Sequence, residues 1–316
     1  MYRIYRIFHP EIFQGKYKKE NYFEGWYFKI IDRRKANAIS IIPGVSLNNK
    51  TSHAFIQILR KDSSVYYIRY ALSEFSFDES SFYIKVGENE FTRDRIKLNI
   101  ETEGLSIHGE LSFKHIIELP KTLLRPGIMG PFSYLTFMEC YHGVVNIHHD
   151  IEGCLNISGR NIDFTGGYGY IEKDWGRSFP ENWVWLQSNH FGEDDVTVMF
   201  SKAKIPFLGS SFEGFLSLLR IKDRVLVFAT YTGAKLRKVE IDDHILRIRI
   251  NNIRFQLELL VLLSEGGRII APKNGRMNRE IIESINAVVK VRLSSRGGRI
   301  LYEGQGTNTG LEIVVE

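Results

Sequence analysis

The sequence has little cysteine, little proline and no long apolar run, and each shortage excludes a class of protein. Its 316 residues include only two cysteines, Cys140 and Cys154, so a disulfide scaffold is excluded and a single bridge is not favoured. The longest apolar run, residues 257–263, is short and contains Glu258, so it cannot span a bilayer. The first ten residues, MYRIYRIFHP, contain no apolar stretch followed by a cleavage site, so no secretory signal is predicted.

A strong charge of one sign is also missing. The net charge is +5, from 42 basic and 37 acidic residues, and the basic residues are scattered instead of clustered. This distribution favours a solvated surface over a nucleic-acid-binding patch. We therefore expect a soluble, cytoplasmic protein without a nucleic-acid partner, and a weak peripheral contact with anionic membranes stays open.

Aromatic residues make up 13% of the chain, and most segments alternate between apolar and polar residues. Ile248 and Ile250 alternate with Arg247 and Arg249, for example, which is typical of half-buried antiparallel strands. The best helical candidate is short, residues 278–285. Strands are predicted at residues 22–31, 37–42, 53–60, 65–70, 95–101, 104–113, 151–157, 161–172, 182–191, 196–202, 213–221, 225–231, 241–250, 253–259 and 288–293.

Three of the eight prolines lie in residues 120–131, which cannot form a central strand. This segment is the best candidate for a linker. The strands on either side of it are numerous enough for a small barrel each. The sequence therefore predicts an all-β protein with two antiparallel barrels side by side, residues 1–130 and residues 131–316.

Residues 169–191 carry most of the functional signal, since they hold three of the four tryptophans together with acid and amide side chains. Residues two apart on a strand point to the same face. Aromatic rings with a few placed polar groups are typical of a ligand pocket, whereas a charged turn with a tryptophan over the core is the alternative. The candidate pocket residues are Glu172, Asp174, Trp175, Trp183, Trp185, Gln187 and Asn189.

Two earlier strands carry further candidates. Glu24 lies among aromatic residues and shares a face with Trp26, so desolvation could raise its pKa and make it a proton donor. An ion pair with a lysine or arginine is an equally good interpretation. His53 shares a face with Gln57 and could shuttle a proton, although a histidine of this kind is more often a core residue with its hydrogen bonds satisfied.

Other arrangements favour no chemistry. Residues 139–142 (Glu-Cys-Tyr-His) and residues 148–150 (His-His-Asp) match no zinc-binding pattern, so no metal site is predicted. Cys140 and His142 lack a third orienting group for nucleophilic catalysis. Because no Gly-x-Gly-x-x-Gly, phosphate loop or Gly-x-Ser-x-Gly motif occurs, dinucleotide, ATP and serine-hydrolase chemistry are disfavoured.

Short motifs that follow one another along nearly the whole chain are Phe8-His9-Pro10, residues 22–29, 53–57, 138–144, 169–180 and 183–191, and Gly310-Leu311-Glu312-Ile313. Together they resemble the tocopherol cyclase family. The resemblance implies two lipocalin-like β-barrels, related to the carotenoid hydratase group. It also implies closure of a chromanol ring on a prenylated quinol, in which a proton adds to an alkene and the phenol oxygen captures the cation. No redox cofactor is needed.

This chemistry requires an acid held neutral in a dry site and aromatic faces near a cation. We expect Asp174 to be the proton donor, with Glu24 as the second candidate. A carrier of a hydrophobic isoprenoid without catalysis is the alternative, and the substrate and oligomeric state stay open. The expected walls and orienting groups of the site are Trp26, Trp175, Trp183, Trp185, Gln187, Asn189, His53 and Glu172.

Overall fold

The computed structural model describes residues 2–192, 195–207 and 209–315, and nearly all of its regular structure is β-strand. One short α-helix, α1 (Tyr2–Phe8), precedes the strands. Among the described residues, no helix has the length and apolar character that crossing a bilayer requires.

The first sheet is antiparallel, with the strand order β4-β3-β2-β1-β12-β10-β9-β8-β7-β6-β5, and β11 pairs with β10. Most neighbours are joined by hairpins, while β12 lies between β1 and β10 and brings the two ends of this part of the chain together. Its strands are β1 (Tyr22–Ile31), β2 (Ala38–Leu47), β3 (His53–Arg60), β4 (Val65–Tyr70), β5 (Phe75–Phe77), β6 (Tyr83–Val86), β7 (Asn89–Thr92), β8 (Arg95–Thr102), β9 (Leu105–Ile117), β10 (Cys140–Ile157), β11 (Arg160–Asp163) and β12 (Gly167–Gly176).

The second sheet is also antiparallel, with the order β16-β15-β14-β13-β22-β21-β19-β18-β17, and β20 pairs with β21. Its strands are β13 (Trp183–Ser188), β14 (Val196–Phe207), β15 (Ser210–Ile221), β16 (Arg224–Ala229), β17 (Lys235–Asp242), β18 (Ile245–Asn251), β19 (Phe255–Leu262), β20 (Gly267–Lys273), β21 (Arg276–Ser295) and β22 (Ile300–Val314). These sheets confirm the predicted fold class, an all-β protein with two antiparallel lipocalin-like sheets, the first of which nearly closes into a barrel.

The chain divides into two compact units at places other than the proline-rich segment. The first unit contains residues 1–179 and 268–281, and the second contains residues 180–267 and 282–316. The predicted boundary at residue 130 differs because β10 and β12 pair with β9 and β1, so the chain beyond residue 130 completes the first sheet.

Side-chain hydrogen bonds hold residues 268–281 in the first unit. The amide of Ile270 donates to Oε1 of Gln57 over 2.7 Å, and Oγ of Ser46 donates to the carbonyl of Gly275 over 2.6 Å. The predicted helix at residues 278–285 is wrong, since these residues belong to β21. Here pairing of β21 with β20 and, from Glu283 on, with β22 decides the conformation, and a window of eight residues cannot show that pairing.

A buried ion pair lies in the interior of the first unit. Lys173 on β12 forms an ion pair with Glu24 on β1, and neither side chain is exposed. Nζ of Lys173 also donates to the carbonyls of Pro10 and Ile12, over 2.7 and 2.6 Å. Burial lowers the pKa of Lys173 to about 8, although the ion pair with Glu24 acts in the opposite direction. All three ammonium protons therefore have an acceptor, and the segment before β1 is bound to the sheet.

The carboxylate of Glu24 is equally well supplied with donors. It accepts from the hydroxyl of Tyr22 and from the amide of Gln14, whose nitrogen lies 2.7 and 3.0 Å from the two oxygens. The ammonium of Lys173 lies 4.6 Å from the ring of Trp26 and 4.9 Å from that of Trp175. Since alternate residues face opposite sides, placing Lys173 inside directs its neighbours Glu172 and Asp174 to the other face of β12.

We expect E24M and K173M each to lower the free energy of unfolding by about 3–5 kcal/mol, because each leaves one buried charge unpaired. The double variant E24M/K173M should lose clearly less than the sum of the two. Urea unfolding of the four proteins measures this coupling.

The exposed pair Arg249–Glu258, with nitrogen and oxygen 2.9 Å apart, is the control and should contribute under about 1 kcal/mol. Additive losses at positions 24 and 173 would show that the two charges do not depend on each other.

Candidate functional site

Three polar side chains follow one another on the outer face of β12, opposite the core. They are Tyr170, Glu172 and Asp174, and the register of the sheet places His142 of β10 directly beside Asp174. Tyr170 is fully buried and Glu172 is 4% exposed. The side chain of Asp174 is 25% exposed, which makes it the most accessible of these three residues and His142. We call these residues the His142 cluster.

The imidazole of His142 lies between the two carboxylates. Nδ1 is 2.9 Å from Oδ1 of Asp174, and Nε2 is 3.6 Å from Oε2 of Glu172. The hydroxyl of Tyr170 donates to the same Glu172 oxygen over 2.6 Å. Burial, together with the charge of Glu172, raises the pKa of Tyr170 well above its usual value, so the phenol keeps its proton. The cluster therefore forms a row of groups that can hold protons, with hydrogen bonds at its two ends and an ion-pair distance of 3.6 Å between His142 and Glu172.

The residues around the cluster come from β10 and from the segment before it. The amide of His142 donates to Sδ of Met129 over 3.2 Å. On the opposite face of the same strands, which Lys173 shares, the ring of Tyr141 stacks on Trp175 with centroids 5.4 Å apart. Burial, with Asp174 and Glu139 nearby, raises the pKa of Cys140 well above its usual value. The thiol is therefore neutral, which argues against its use as a nucleophile or a metal ligand.

His142, Glu172 and Asp174 could instead hold a metal ion, since one ligand atom from each lies within 4.8 Å of the others. The geometry fits this use less well than proton sharing. Asp174 lies beside Nδ1 of the imidazole and Glu172 lies beside Nε2. A metal ion would bind only one of these two nitrogens and so would have only one of the carboxylates beside it.

Several predicted site residues of the first unit have structural contacts instead. Glu24 is held by Lys173, and Trp26 is fully buried in the core, where its Nε1 donates to the carbonyl of Glu11 over 2.7 Å. His53 contacts the carbonyl of Thr51 through Nδ1 over 2.7 Å, and the hydroxyl of Tyr67 through Nε2 over 2.8 Å. Burial lowers the pKa of His53, and both ring nitrogens have hydrogen-bond partners; its role in catalysis stays a prediction.

The remaining candidates lie in the second unit. Val184 and Leu186 of β13 belong to its core, so Trp183, Trp185 and Gln187 lie on the opposite face, where all three are nonetheless buried. Nε1 of Trp183 donates to Oε2 of Glu312 over 2.6 Å.

Asn189 is also buried and follows the last residue of β13. The shared face predicted for Trp183, Trp185 and Gln187 thus exists within this unit. Their participation in one pocket with Asp174 stays a prediction.

His142 is the main residue that sequence reasoning missed. Its neighbour Asp174 is far away in the sequence, and only the pairing of β10 with β12 brings them together. Tyr170 was detectable, because it stands two residues before Glu172 on the same predicted strand. Glu312, within the last family motif, carried no signal of its contact with Trp183.

The fold and the cluster define an all-β protein with a histidine and two carboxylates on the outer face of a sheet, and the family follows from sequence comparison. The profile of the tocopherol cyclase-like family matches residues 120–314. The chain belongs to this family, and the resemblance seen in the motifs is confirmed. It is also similar to the chloroplastic tocopherol cyclase of Zea mays, with 31% identity over 86 residues, which cover 26% of this chain and 18% of the maize protein.

Two solved structures share the fold at low sequence identity. CghA has a TM-score of 0.60 and 10% identity, with 93% of this chain and 88% of that chain covered. Kievitone hydratase from Nectria haematococca has a TM-score of 0.53 and 11% identity, with 96% of this chain and 93% of that chain covered. At these identities the likeness establishes the fold alone.

The neutral thiol of Cys140 leads to a labelling prediction. Iodoacetamide at pH 8 should modify the exposed Cys154 at least ~10-fold faster than Cys140, because only the thiolate reacts and burial suppresses it. Peptide mass mapping over time gives both rates from one sample. Faster modification of Cys140 would show an accessible, ionised thiol beside the cluster.

Proposed function

We propose that this protein catalyses the acid-dependent cyclisation of a prenyl alkene on a hydrophobic quinol, and that hydration of an isoprenoid alkene is the closely related reaction open to the same site. The observation that carries the proposal is the position of the Asp174 carboxyl. It is partly accessible and hydrogen-bonded to Nδ1 of His142, and Glu172 lies beside the other nitrogen of that ring.

Asp174 is the proton donor in this proposal. Its carboxyl proton passes to the less substituted alkene carbon, and a tertiary cation forms at the other carbon. The phenol oxygen then attacks the cation, so that a C–O bond forms as the O–H bond breaks. The released proton returns to Asp174, directly or through His142. The substrate and product are isomers, and the enzyme ends in its starting state.

The other members of the cluster act through Asp174. In the starting state of this proposal His142 is neutral: its Nδ1 accepts a hydrogen bond from the carboxyl of Asp174, and its Nε2–H faces the carboxylate of Glu172. Tyr170 holds Glu172 in place with its hydrogen bond. Glu24 is the weaker candidate, because Lys173, Tyr22 and Gln14 already occupy its oxygens.

A sequence relative supports the reaction class. The maize protein is a tocopherol cyclase, and a cyclisation of this kind can begin with protonation of an alkene. Carriage of a ligand inside the first sheet has less support, since aromatic and aliphatic side chains such as Phe28, Phe91 and Phe113 fill its interior.

D174N should lower kcat for a prenylated hydroquinone by about 10²–10⁴-fold, since an amide cannot supply the proton. Tryptophan quenching by the substrate should change little. D223N, at an exposed turn, is the matched control and should keep the activity of the unaltered protein. Unchanged turnover by D174N would remove Asp174 as the donor, and quenching without product from the unaltered protein would favour a carrier.

H142Q tests the positioning role. We expect kcat to fall roughly 10²-fold with KM nearly unchanged, because the histidine acts on the proton donor and does not bind the substrate. The pH dependence of kcat should also change its shape, which a purely structural role would not require. A fall in kcat at every pH by one constant factor, with lower thermal stability, would contradict this role.

A further inference from the structure

Residues 122–125 form a tight turn that carries two exposed leucines. The amide of Thr122 donates to the carbonyl of Arg125 over 2.8 Å, and the amide of Arg125 donates back over 3.0 Å. Leu123 and Leu124 at the tip are each 80% exposed, which is unusual for two adjacent aliphatic residues. Because both closing hydrogen bonds are present, the leucines are displayed on a defined turn.

The chain around the turn is apolar and basic. Between Leu119 and Met138 the sequence contains no aspartate or glutamate, and its two charged residues, Lys121 and Arg125, lie on either side of the leucines. Lys121 donates to the carbonyl of Phe8 over 2.7 Å and lies 3.8 Å from Glu11, so its charge is already paired. Arg125 donates to the carbonyl of Pro120 over 3.0 Å, which leaves its positive charge available. Phe137 and Tyr134, further along, are 56% and 41% exposed. These groups suit the interface of an anionic lipid bilayer. Leucines and aromatic rings insert at the boundary of the acyl chains, and a basic group beside them is attracted to anionic headgroups.

The same segment continues into the His142 cluster. The hydroxyl of Tyr134 donates to the carbonyl of Leu123, and the hydroxyl of Tyr141 donates to the carbonyl of Leu135 over 2.6 Å. Met129, which accepts from the amide of His142, is buried in the middle of the segment. The exposed leucines and the proposed proton donor are thus joined by a short, hydrogen-bonded stretch of the first unit.

We propose that residues 120–137 dock the protein on an anionic membrane surface, with Leu123 and Leu124 inserted among the acyl chains and Arg125 near the headgroups. A prenylated quinol is a membrane-dissolved molecule, so docking at this segment brings the site to its substrate. The docking proposal rests on the proposed function only for the reason why membrane binding is useful. Binding to lipid itself does not require turnover.

The test is co-sedimentation with vesicles of phosphatidylcholine and phosphatidylglycerol. L123D/L124D should bind roughly 10- to 100-fold more weakly than the unaltered protein, because two leucines that insert into the bilayer are replaced by charged residues. The unaltered protein should bind about 5-fold more weakly to pure phosphatidylcholine, since Arg125 then loses its anionic partner. The matched control is I253D/I300D, which changes two other exposed aliphatic residues and should bind normally.

Equal binding of L123D/L124D and the unaltered protein would overturn the proposal. So would an unaltered protein that ignores vesicles but forms a dimer that L123D/L124D abolishes, since the leucines would then meet a second copy. Turnover separates this proposal from the proposed function. L123D/L124D should convert detergent-solubilised quinol at the normal rate and vesicle-embedded quinol at least ~10-fold more slowly, and vesicle binding without turnover would reject the catalytic proposal alone.

Discussion

The ion pair between Glu24 and Lys173 is the interaction on which the candidate site depends. A lysine inside a β-sheet core is costly to bury, and here a carboxylate and the carbonyls of Pro10 and Ile12 offset that cost. The pair fixes which face of β12 points inward. A slip of one residue would turn every side chain of the strand to the other face, and a charged ammonium would then leave its partners.

That constraint explains why a lysine lies between two acidic residues in the Glu172-Lys173-Asp174 sequence. The lysine faces the core and bonds the segment before β1, while Glu172 and Asp174 face outward and meet His142. One short stretch of chain thus supplies structural support on one face and the proposed acid–base groups on the other. Membership of the tocopherol cyclase-like family is consistent with the proposed acid role of Asp174.

Local patterns in the sequence were sufficient for the fold class and for part of the site. Alternation such as Ile248 and Ile250 against Arg247 and Arg249 predicts a strand wherever one face is buried, and it placed Glu172 and Asp174 on a common face correctly. The partner strand could not be predicted in the same way. His142 meets Asp174 only through the pairing of β10 with β12, and the same pairing moves the division between units beyond residue 130.

The central claim is that an enzyme carboxyl gives a proton to an alkene carbon. The most direct measurement is conversion of a prenylated hydroquinone by the unaltered protein in D₂O, followed by mass spectrometry and NMR of the product. The account predicts a cyclised product with one non-exchangeable deuterium, on the carbon next to the new C–O bond. A cyclised product without deuterium on carbon would contradict it.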